Sequence, residues 1–437
     1  MKYIQVDIDT KGFSQAESVG TLGYDMIRGN AAYQWEYNGQ WLQQHRQTRL
    51  SGDLQNAGGP QYGSGRLFGF LQDAMPDRWG RRLIDKRERL LATQERRAVR
   101  HLTDIDYLAQ IDDTTRMGAL RLRENDKLLG LAHADTPVPP LTYLHEFVDM
   151  AQEYERQDEQ GGTIREEWLM NLYKQGSSLG GARPKANVRD TDGSLWMAKI
   201  PSINDDYDVA LWEFWAHKMA AKAGIEVPEM RLLSLPGQKH HALLSKRFDR
   251  AGEQRIHFAS AMTLCGLQDG ADATSGNGYL DIVDAIIGNA GFVNPQAALE
   301  QLYRRVAFSI VIRNHDDHFR NHGFLLTDKG WVWSPAYDLN PSDFDTQSLL
   351  ISRDSNESSL DVLLAAAGDY MLSTARAQQI INEVCTVMTH ARQVARQCGI
   401  SDHELERFLM IRATRCHDNT KDDADSSSRG RTKKGRC

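Results

Sequence analysis

The chain has 437 residues, of which 41% are hydrophobic and 25% are charged, and its formal net charge at neutral pH is −7. A chain of this length exceeds one ordinary hydrophobic core, so we expect two or three domains. The negative charge argues against a surface that binds nucleic acid throughout, and without an apolar run of roughly 18 residues we expect no membrane-spanning helix.

The first residues and the cysteines indicate the compartment. Met1–Thr10 carries acidic residues and no apolar segment, which argues against a secretory signal peptide. The five cysteines are odd in number and widely spaced, and they contain no Cys-x-x-Cys pair. This pattern favours reduced thiols, so we expect a cytoplasmic protein.

Residues 1–131 predict a small mixed α/β unit. The segments 20–23 and 31–37 indicate short strands of a meander. Asn38-Gly39 then predicts a hairpin turn, because this dipeptide favours the backbone conformation of tight turns.

A helical region is predicted from Phe68 onward, through Met75-Pro-Asp77. Between Arg78 and Arg100 there are nine Lys or Arg residues against three Asp or Glu. This basic run could face DNA or an acidic partner, although a solvated helix face is the commoner explanation.

The segment 132–140 is rich in proline and predicts a linker between domains. A β-rich nucleotide-binding lobe with leading helices is predicted over 141–250. Its first candidate site is the glycine-rich stretch Gly176–Lys185. The stretch fails the Walker pattern because position 182 is Ala, but such a turn can still cradle phosphates with backbone N–H groups.

The strands predicted at 185–189 and 194–200 place Lys199 on an apolar face. A buried lysine needs an anionic partner, and nucleotide phosphates are one such partner. The helix predicted over about 205–223 carries Glu213 in its middle, and a kinase needs a helix glutamate to hold the strand lysine.

Two further strands are predicted near 229–235 and 242–248, with Ser245–Arg250 as a hinge that touches the adenine. Five strands with one helix, followed by a helical lobe over 251–416, are typical of the two-lobed protein-kinase arrangement. The tail 417–437 is acidic, then serine-rich, then basic, and we expect it to be disordered.

The stretch Arg313–His322 carries the strongest chemical signal. It offers Asp316 and, five residues later, Asn321, and a predicted hairpin then delivers Asp338. Phosphoryl transfer needs an acid to deprotonate a hydroxyl, and an amide and an acid to hold Mg²⁺ against the phosphates. Protein kinases space their base and amide in the same way.

Taken together, these motifs resemble the HipA family of serine/threonine-kinase toxins. The glycine-rich loop of that family is similar to Ser178–Lys185. Its Asn-x-Asp-x-His-x-Lys-Asn motif is matched by Asn314, Asp316, His318 and Asn321, with Arg320 in the lysine position, and its Tyr-Asp motif by Tyr337-Asp338. The resemblance implies an α+β fold of two kinase-like lobes, preceded by a mixed N-terminal subdomain.

The resemblance also implies a set of site residues. Asp316 is implied as the catalytic base, and Asn321 and Asp338 as the ligands of Mg²⁺. The residues implied at the ATP site are Gly180, Gly181, Ala182, Arg183, Pro184, Lys185, Lys199, Glu213, Lys246, Arg247, Phe248 and His318. Ser178 matches the serine whose autophosphorylation switches the kinase off.

The partners implied by the resemblance are a translation protein of the aminoacyl-tRNA synthetase class as substrate, and a HipB-like DNA-binding antitoxin. DNA would be contacted mainly through that antitoxin. Three alternatives stay open at this point. The first is a His-Asp metal-dependent hydrolase built on His315, His318 and His322 with Asp316 and Asp317. The others are a non-catalytic module that bridges antitoxin and operator DNA, and a small-molecule phosphotransferase.

Overall fold

The computed structural model describes residues 1–63, 65–130, 138–162, 165–176, 183–342 and 344–409, without the side chains of 174–176 and 406–409. Several predictions concern residues outside these ranges: most of the linker 132–140, the loop residues Ser178, Gly180, Gly181 and Ala182, and the tail 417–437. These stay predictions.

The N-terminal part of the chain forms an antiparallel sheet. Its strands are β1 (Lys2–Ile8), β2 (Glu17–Ile27), β3 (Asn30–Tyr37), β4 (Gln61–Tyr62), β5 (Leu120–Glu124) and β6 (Lys127–Leu128). They lie in the order β4-β3-β2-β1-β5-β6, and β1 pairs with β2 so that Ile4 faces Leu22. Buried residues of this sheet belong to the same hydrophobic cluster as buried residues of the C-terminal part of the chain.

Four helices accompany this sheet: α1 (Gly39–Gln44), α2 (Gly69–Gln72), α3 (Arg78–Gln94) and α4 (Asp104–Leu108). The predicted hairpin turn at Asn38-Gly39 is wrong. Asn38 instead caps α1, and its side chain accepts a hydrogen bond from the Gln40 N–H at 2.8 Å. Asparagine favours helix N-caps as well as turns, and here the cap prevails. The hairpin between β2 and β3 turns at Arg28-Gly29, where both φ angles are positive.

A second sheet carries the predicted nucleotide-binding lobe. It contains β7 (Lys185–Arg189), β8 (Leu195–Lys199), β9 (Met230–Leu233) and β10 (Ala242–Lys246), in the order β7-β8-β10-β9. The helices of this region are α5 (Leu144–Glu159), α6 (Glu166–Gly176) and α7 (Val209–Lys222). Lys199 at the end of β8 pairs with Lys185 on one side and with Leu243 on the other.

The expectation of five strands in this lobe is wrong, because the described sheet has four. The chain leaves the sheet after β10 at Asp249, and a separate short hairpin follows, β11 (Arg250–Ala251) with β12 (Gln254–Arg255). The Asp249 carboxylate accepts hydrogen bonds from the Arg247 and Arg250 side chains and from the Gly118 N–H. This buried group ties the chain to the N-terminal part instead of letting it extend the sheet.

Helix α3 contributes to the core of this second sheet. Trp79, Leu83 and Ile84 of α3 are buried in one cluster with residues of α5, α6 and the strands. Packing therefore crosses the predicted boundary between residues 1–131 and the nucleotide-binding lobe.

The remaining elements form a mainly helical lobe with one small sheet. The strands are β13 (His257–Ser260), β14 (Gly323–Thr327) and β15 (Gly330–Trp333), and the helices are α8 (Ala261–Cys265), α9 (Tyr279–Gly288), α10 (Pro295–Ile312), α11 (Leu360–Ala365), α12 (Thr374–Met388), α13 (Ala391–Cys398) and α14 (Asp402–Leu409). Among the helices that the structure describes, none has both the length and the apolar character to cross a bilayer.

Helix α10 positions the stretch with the strongest chemical signal. Leu302, Tyr303 and Val306 on this helix are completely buried, as the helical spacing of apolar residues predicts. The helix ends at Arg313, whose φ of 56° is left-handed and turns the chain sharply into the segment 314–322. A rigid, buried helix therefore fixes the start of that segment.

Candidate active site

Lys199 is the point where the two lobes meet. Its ammonium group contacts two carboxylates, Glu213 from α7 and Asp338 from the segment after β15. Burial alone lowers the pKa of Lys199, but the charges of Asp338 and Glu213 outweigh it and raise that pKa above its ordinary value. The lysine is therefore charged, and it links sheet, helix and C-terminal lobe.

Asp338 is held as a charged group. Burial alone would raise its pKa, but the positive charges of Lys199 and Lys185 lower that pKa to about 2. Its φ of 55° lies in the left-handed region, which is uncommon outside glycine but accessible to Asp. An ionised carboxylate on an unusual backbone conformation is typical of a functional position.

Lys185, at the start of β7, forms an ion pair with the carboxylate of Asp77. Its ammonium nitrogen lies 3.4 Å from Oδ2 of Asp77, and both side chains are almost completely buried. Asp77 is the N-cap of α3, where Oδ1 accepts a hydrogen bond from the Gly80 N–H at 2.6 Å. Burial raises the pKa of Asp77 to about 7, although Lys185 opposes that shift.

The segment after α10 places the predicted base and amide. The Asn321 Nδ2 donates to the Asp316 carbonyl at 2.9 Å, and the Asp316 side chain is exposed to solvent. The Tyr337 hydroxyl donates to the Arg320 carbonyl at 2.6 Å. Since Tyr337 precedes Asp338 and Arg320 precedes Asn321, this bond holds the two segments together. His318 also contributes to the low pKa of Asp338. The three predicted catalytic residues thus lie on adjoining segments.

Asp317 anchors this segment in the core of the helical lobe. Its carboxylate is buried and accepts hydrogen bonds from the Tyr279 hydroxyl at 2.7 Å and the Ser309 hydroxyl at 2.9 Å. It also lies 3.0 Å from Nε2 of His322. Burial alone would raise the pKa of Asp317, but His322 and these donors lower it. The short segment between Asp316 and Asn321 is therefore tied to α9 and α10.

Arg320, in the lysine position of the motif, forms ion pairs with two acids. Its Nε donates to Asp269 at 2.7 Å, and one terminal nitrogen lies 3.4 Å from Asp73. Asp73 also accepts from both the N–H and the hydroxyl of Ser260 at 2.7 Å. The charge of Arg320 is thus used to join the N-terminal part to the helical lobe.

The side chains of the predicted hinge residues have different contacts. The Phe248 ring stacks on Tyr337, with ring centres 5.5 Å apart, and so lies beside the Tyr-Asp pair. Lys246 points to the outer face of the sheet, where it contacts Glu229 at 3.1 Å. The Arg247 guanidinium is buried and bonded to Asp249, and its backbone N–H donates to the Leu195 carbonyl at 2.9 Å, which leaves its carbonyl for a nucleotide.

The described end of the glycine-rich loop is anchored to the sheet. Arg183 forms an ion pair with Asp205, and the Pro184 carbonyl accepts from the Ile200 N–H at 3.0 Å. The ring nitrogen Nδ1 of His318 is buried without a hydrogen-bond partner in the described structure. A bound ligand is one way in which such a group is satisfied.

The histidines of the alternative metal site diverge. His315 bonds to the Thr346 carbonyl at 2.6 Å, whereas His322 faces Asp317. Within the ranges described above, no three His, Cys, Asp or Glu side chains converge in a way that would hold a metal. This arrangement disfavours a hydrolase that carries its own transition metal.

Two family models match the sequence. The HipA-like C-terminal domain matches residues 177–392, and the HipA N-terminal domain matches residues 13–123. The chain belongs to the HipA family. The resemblance inferred from the motifs is confirmed.

Individual relatives are distant in sequence. The protein Y4dM of Sinorhizobium fredii is 30% identical over 159 residues, which cover 34% of this chain and 37% of that protein. The serine/threonine-protein kinase toxin HipA of Shewanella oneidensis is 25% identical over 197 residues, which cover 39% of this chain and 45% of that protein. The chain thus matches less than half the length of these two curated relatives.

A solved structure extends the likeness over the whole fold. A chain from the complex of Shewanella oneidensis HipA, HipB and operator DNA matches 94% of this chain, with 95% of that chain covered. The TM-score is 0.63 at 18% sequence identity. The predicted α+β fold with kinase-like lobes is confirmed.

The site of this HipA-family chain fits Mg²⁺ with a nucleotide. Mg²⁺ prefers oxygen ligands and usually takes one or two from the protein, with phosphates and water completing its shell. Asp338 is ionised, and the Asn321 amide, which donates through Nδ2, keeps its oxygen for a cation. These two side chains are the ones that could hold the ion.

Two acids at this HipA-family site were not predicted as site residues. Asp77 and Asp73 come from the segment before α3, and their partners Lys185, Ser260 and Arg320 lie far along the chain. Asp77 carries one local signal, since an Asp directly before a helical pattern is a typical N-cap. No local pattern reveals a partner that only the tertiary fold brings near.

Proposed function

We propose that this protein is an ATP- and Mg²⁺-dependent serine/threonine protein kinase that acts as the toxin of a toxin–antitoxin pair in the cytoplasm. The observation that carries the proposal is the contact of Lys199 with both Glu213 and Asp338. Kinases use this combination of strand lysine, helix glutamate and metal-binding aspartate to place a nucleotide. Membership of the HipA family supports the same assignment.

Each residue has a distinct role in this proposal. Asp316, exposed at the mouth of the site, accepts the proton of the substrate hydroxyl. Asn321 and Asp338 hold Mg²⁺, which supplies charge neutralisation on the phosphates. Lys199 and Lys185 supply fixed positive charge to the phosphates, since preorganised charges need no rearrangement during the reaction.

The remaining ATP contacts are proposed on the family resemblance. They are Gly180, Gly181, Ala182, Arg183, Pro184, Lys246, the backbone carbonyl of Arg247, Phe248 and His318, with Glu213 acting through Lys199. Ser178 is proposed as the autophosphorylated residue whose modification inactivates the enzyme. The proposed domains are 1–131, 141–250 and 251–416, joined by the linker 132–140 and followed by the tail 417–437.

The partners are proposed from the relatives. One solved relative is HipA in a complex with HipB and operator DNA. For this chain we propose a HipB-like antitoxin, with DNA contacted mainly through it, and a translation protein of the aminoacyl-tRNA synthetase class as substrate.

The test compares Asp316→Asn with the parent protein in transfer from labelled ATP, both to itself and to proteins of a cell lysate. We expect a loss of about a hundredfold or more, because a general base contributes 10² to 10⁴. MgATP binding should persist, since Lys199 and Asp338 are unchanged. The exposed Asp361→Asn on α11 is the charge-matched control.

Transfer at the parental rate in Asp316→Asn would show that Asp316 is not the base. Nucleotide binding without transfer by the parent would favour the non-catalytic alternative. Labelling of a small molecule instead of a protein would favour the metabolite phosphotransferase. Mass spectrometry of the parent after incubation with MgATP tests Ser178 directly, and phosphate found only elsewhere would remove the self-inactivation proposal.

A further inference from the structure

The pair of Asp77 and Lys185 joins two parts of the chain inside the site. Asp77 comes from the N-terminal part and Lys185 from the first strand of the second sheet. The Asp77 side chain is 6% exposed and that of Lys185 is 4% exposed, and the ammonium nitrogen lies 3.4 Å from Oδ2. Asp77 Oδ2 has no hydrogen-bond partner of good geometry in the described structure. The contact between Asp77 and Lys185 is therefore an ion pair and not a well-oriented hydrogen bond.

Acidic groups outnumber basic groups among these contacts. Three carboxyl groups, Asp77, Glu213 and Asp338, contact two ammonium groups, Lys185 and Lys199, and Asp77 carries its negative charge in the molecules in which it is ionised. The charge of Lys185 also acts on Asp338, and that of Asp338 on Asp77, so these groups share one low-dielectric region. Phosphates entering this region meet Asp77 as a like charge and as a competitor for Lys185.

We infer that Asp77 is the resting counter-ion of Lys185, and that nucleotide phosphates take its place when ATP binds. This inference rests on the proposed kinase function and names a positioning residue that acts through Lys185. A buried ammonium group without an anionic partner is costly. Asp77 removes that cost in the nucleotide-free protein and thereby weakens ATP binding.

The N-terminal part also contacts the segment that carries Asn321. Asp73, four residues before Asp77, accepts hydrogen bonds from Ser260 and lies 3.4 Å from Arg320. One short segment thus reaches Lys185 in the nucleotide lobe and Arg320 beside Asn321. The counter-ion Asp77 therefore lies on a segment that is itself bonded to the helical lobe through Asp73.

The substitution Asp77→Asn isolates the charge. Asparagine caps a helix about as well as aspartate, so the bond from the Gly80 N–H is retained. We expect the Kd for MgATP, measured by titration calorimetry, to fall about threefold to tenfold, because a like charge and a competitor for Lys185 are both removed. The nucleotide-free variant should melt at a lower temperature than the parent, and MgATP should raise its Tm by more.

Two further variants make the result specific. Asp85→Asn removes a carboxylate from the same helix, where it accepts from the Tyr107 hydroxyl, and should leave the Kd for MgATP unchanged. In a Lys185→Met background, Asp77→Asn should lower the Kd by less than it does in the parent, because the competition for Lys185 is gone and only the repulsion between Asp77 and the phosphates remains.

A purely structural role for Asp77 would give weaker or unchanged nucleotide binding in Asp77→Asn, and either result overturns the inference. An equal effect of Asp77→Asn with and without Lys185 does the same. A parent protein that binds no MgATP would overturn the proposed function together with this inference. Normal binding by the parent with an unchanged Kd in Asp77→Asn overturns the inference alone.

Discussion

The buried Asp317 offers a measurable test of how the catalytic segment is supported. Its carboxylate receives the Tyr279 and Ser309 hydroxyls at 2.7 and 2.9 Å, and His322 lies at 3.0 Å. In Asp317→Ala all three groups lose their partner inside the core. Removing one partner of a buried charged network costs about 3–5 kcal/mol, so we expect a loss of that size in the free energy of unfolding.

Asp317→Asn should cost less. The amide oxygen can still accept from Tyr279 and Ser309, and only the charge facing His322 is lost. Hydrogen bonds to charged groups contribute about 1.5–3 kcal/mol against about 1 kcal/mol for neutral ones, so we expect a loss of about 1–2 kcal/mol. We therefore expect the free energy of unfolding to fall from the parent to Asp317→Asn, and further to Asp317→Ala.

The assay is unfolding in urea, followed by tryptophan fluorescence, alongside the rate of phosphoryl transfer. The control is Asp402→Asn, which removes one charge from the exposed pair of Asp402 with Arg396 and should change stability by no more than about 0.5 kcal/mol. We expect kcat to fall in both Asp317 variants, since the adjoining base loses its support. Equal stability of Asp317→Ala and the parent would refute the bracing role, and so would equal losses in Ala and Asn.

Two further predictions concern buried ionisable groups. Burial lowers the pKa of His257 from 6.5 to about 3. The contribution of the neutral imidazole to stability is therefore complete above pH about 6.5, and it falls by about 1.4 kcal/mol per pH unit as the pH drops toward 3. His257→Met should remove this part of the pH dependence of urea unfolding. Asp249→Leu should destabilise the protein by about 3–5 kcal/mol in the same assay, because the buried Arg247 and Arg250 lose their shared carboxylate, and an unchanged unfolding midpoint would contradict this role.

Regular elements with a strong periodic pattern could be predicted from the sequence. The apolar positions of α10 and the strands β7 and β10 were predicted because helical and strand periodicities depend on neighbours in the chain. The pairing of Lys199 with Glu213 was also predictable, since the kinase arrangement sets both positions. Asn38 was assigned wrongly because the same side chain suits a turn and a helix cap, and only the following backbone decides between them.

What the sequence did not predict are the contacts between distant acids and bases. Asp317 looked like part of a histidine-rich cluster, and only the fold shows that it points into the core toward Tyr279. Arg247 looked like a nucleotide contact, whereas its side chain forms a buried ion pair with Asp249. In each case the partner's position depends on how the lobes pack, which no local spacing encodes.

The N-terminal part is joined to the rest of the molecule by both apolar and charged contacts. Helix α3 gives Trp79 and Leu83 to the core of the second sheet, so removing it would expose apolar surface on α5 and α6. The same segment supplies Asp77 to Lys185 and Asp73 to Arg320. The same short segment thus supports both the packing of the second sheet and the charge balance around Lys185.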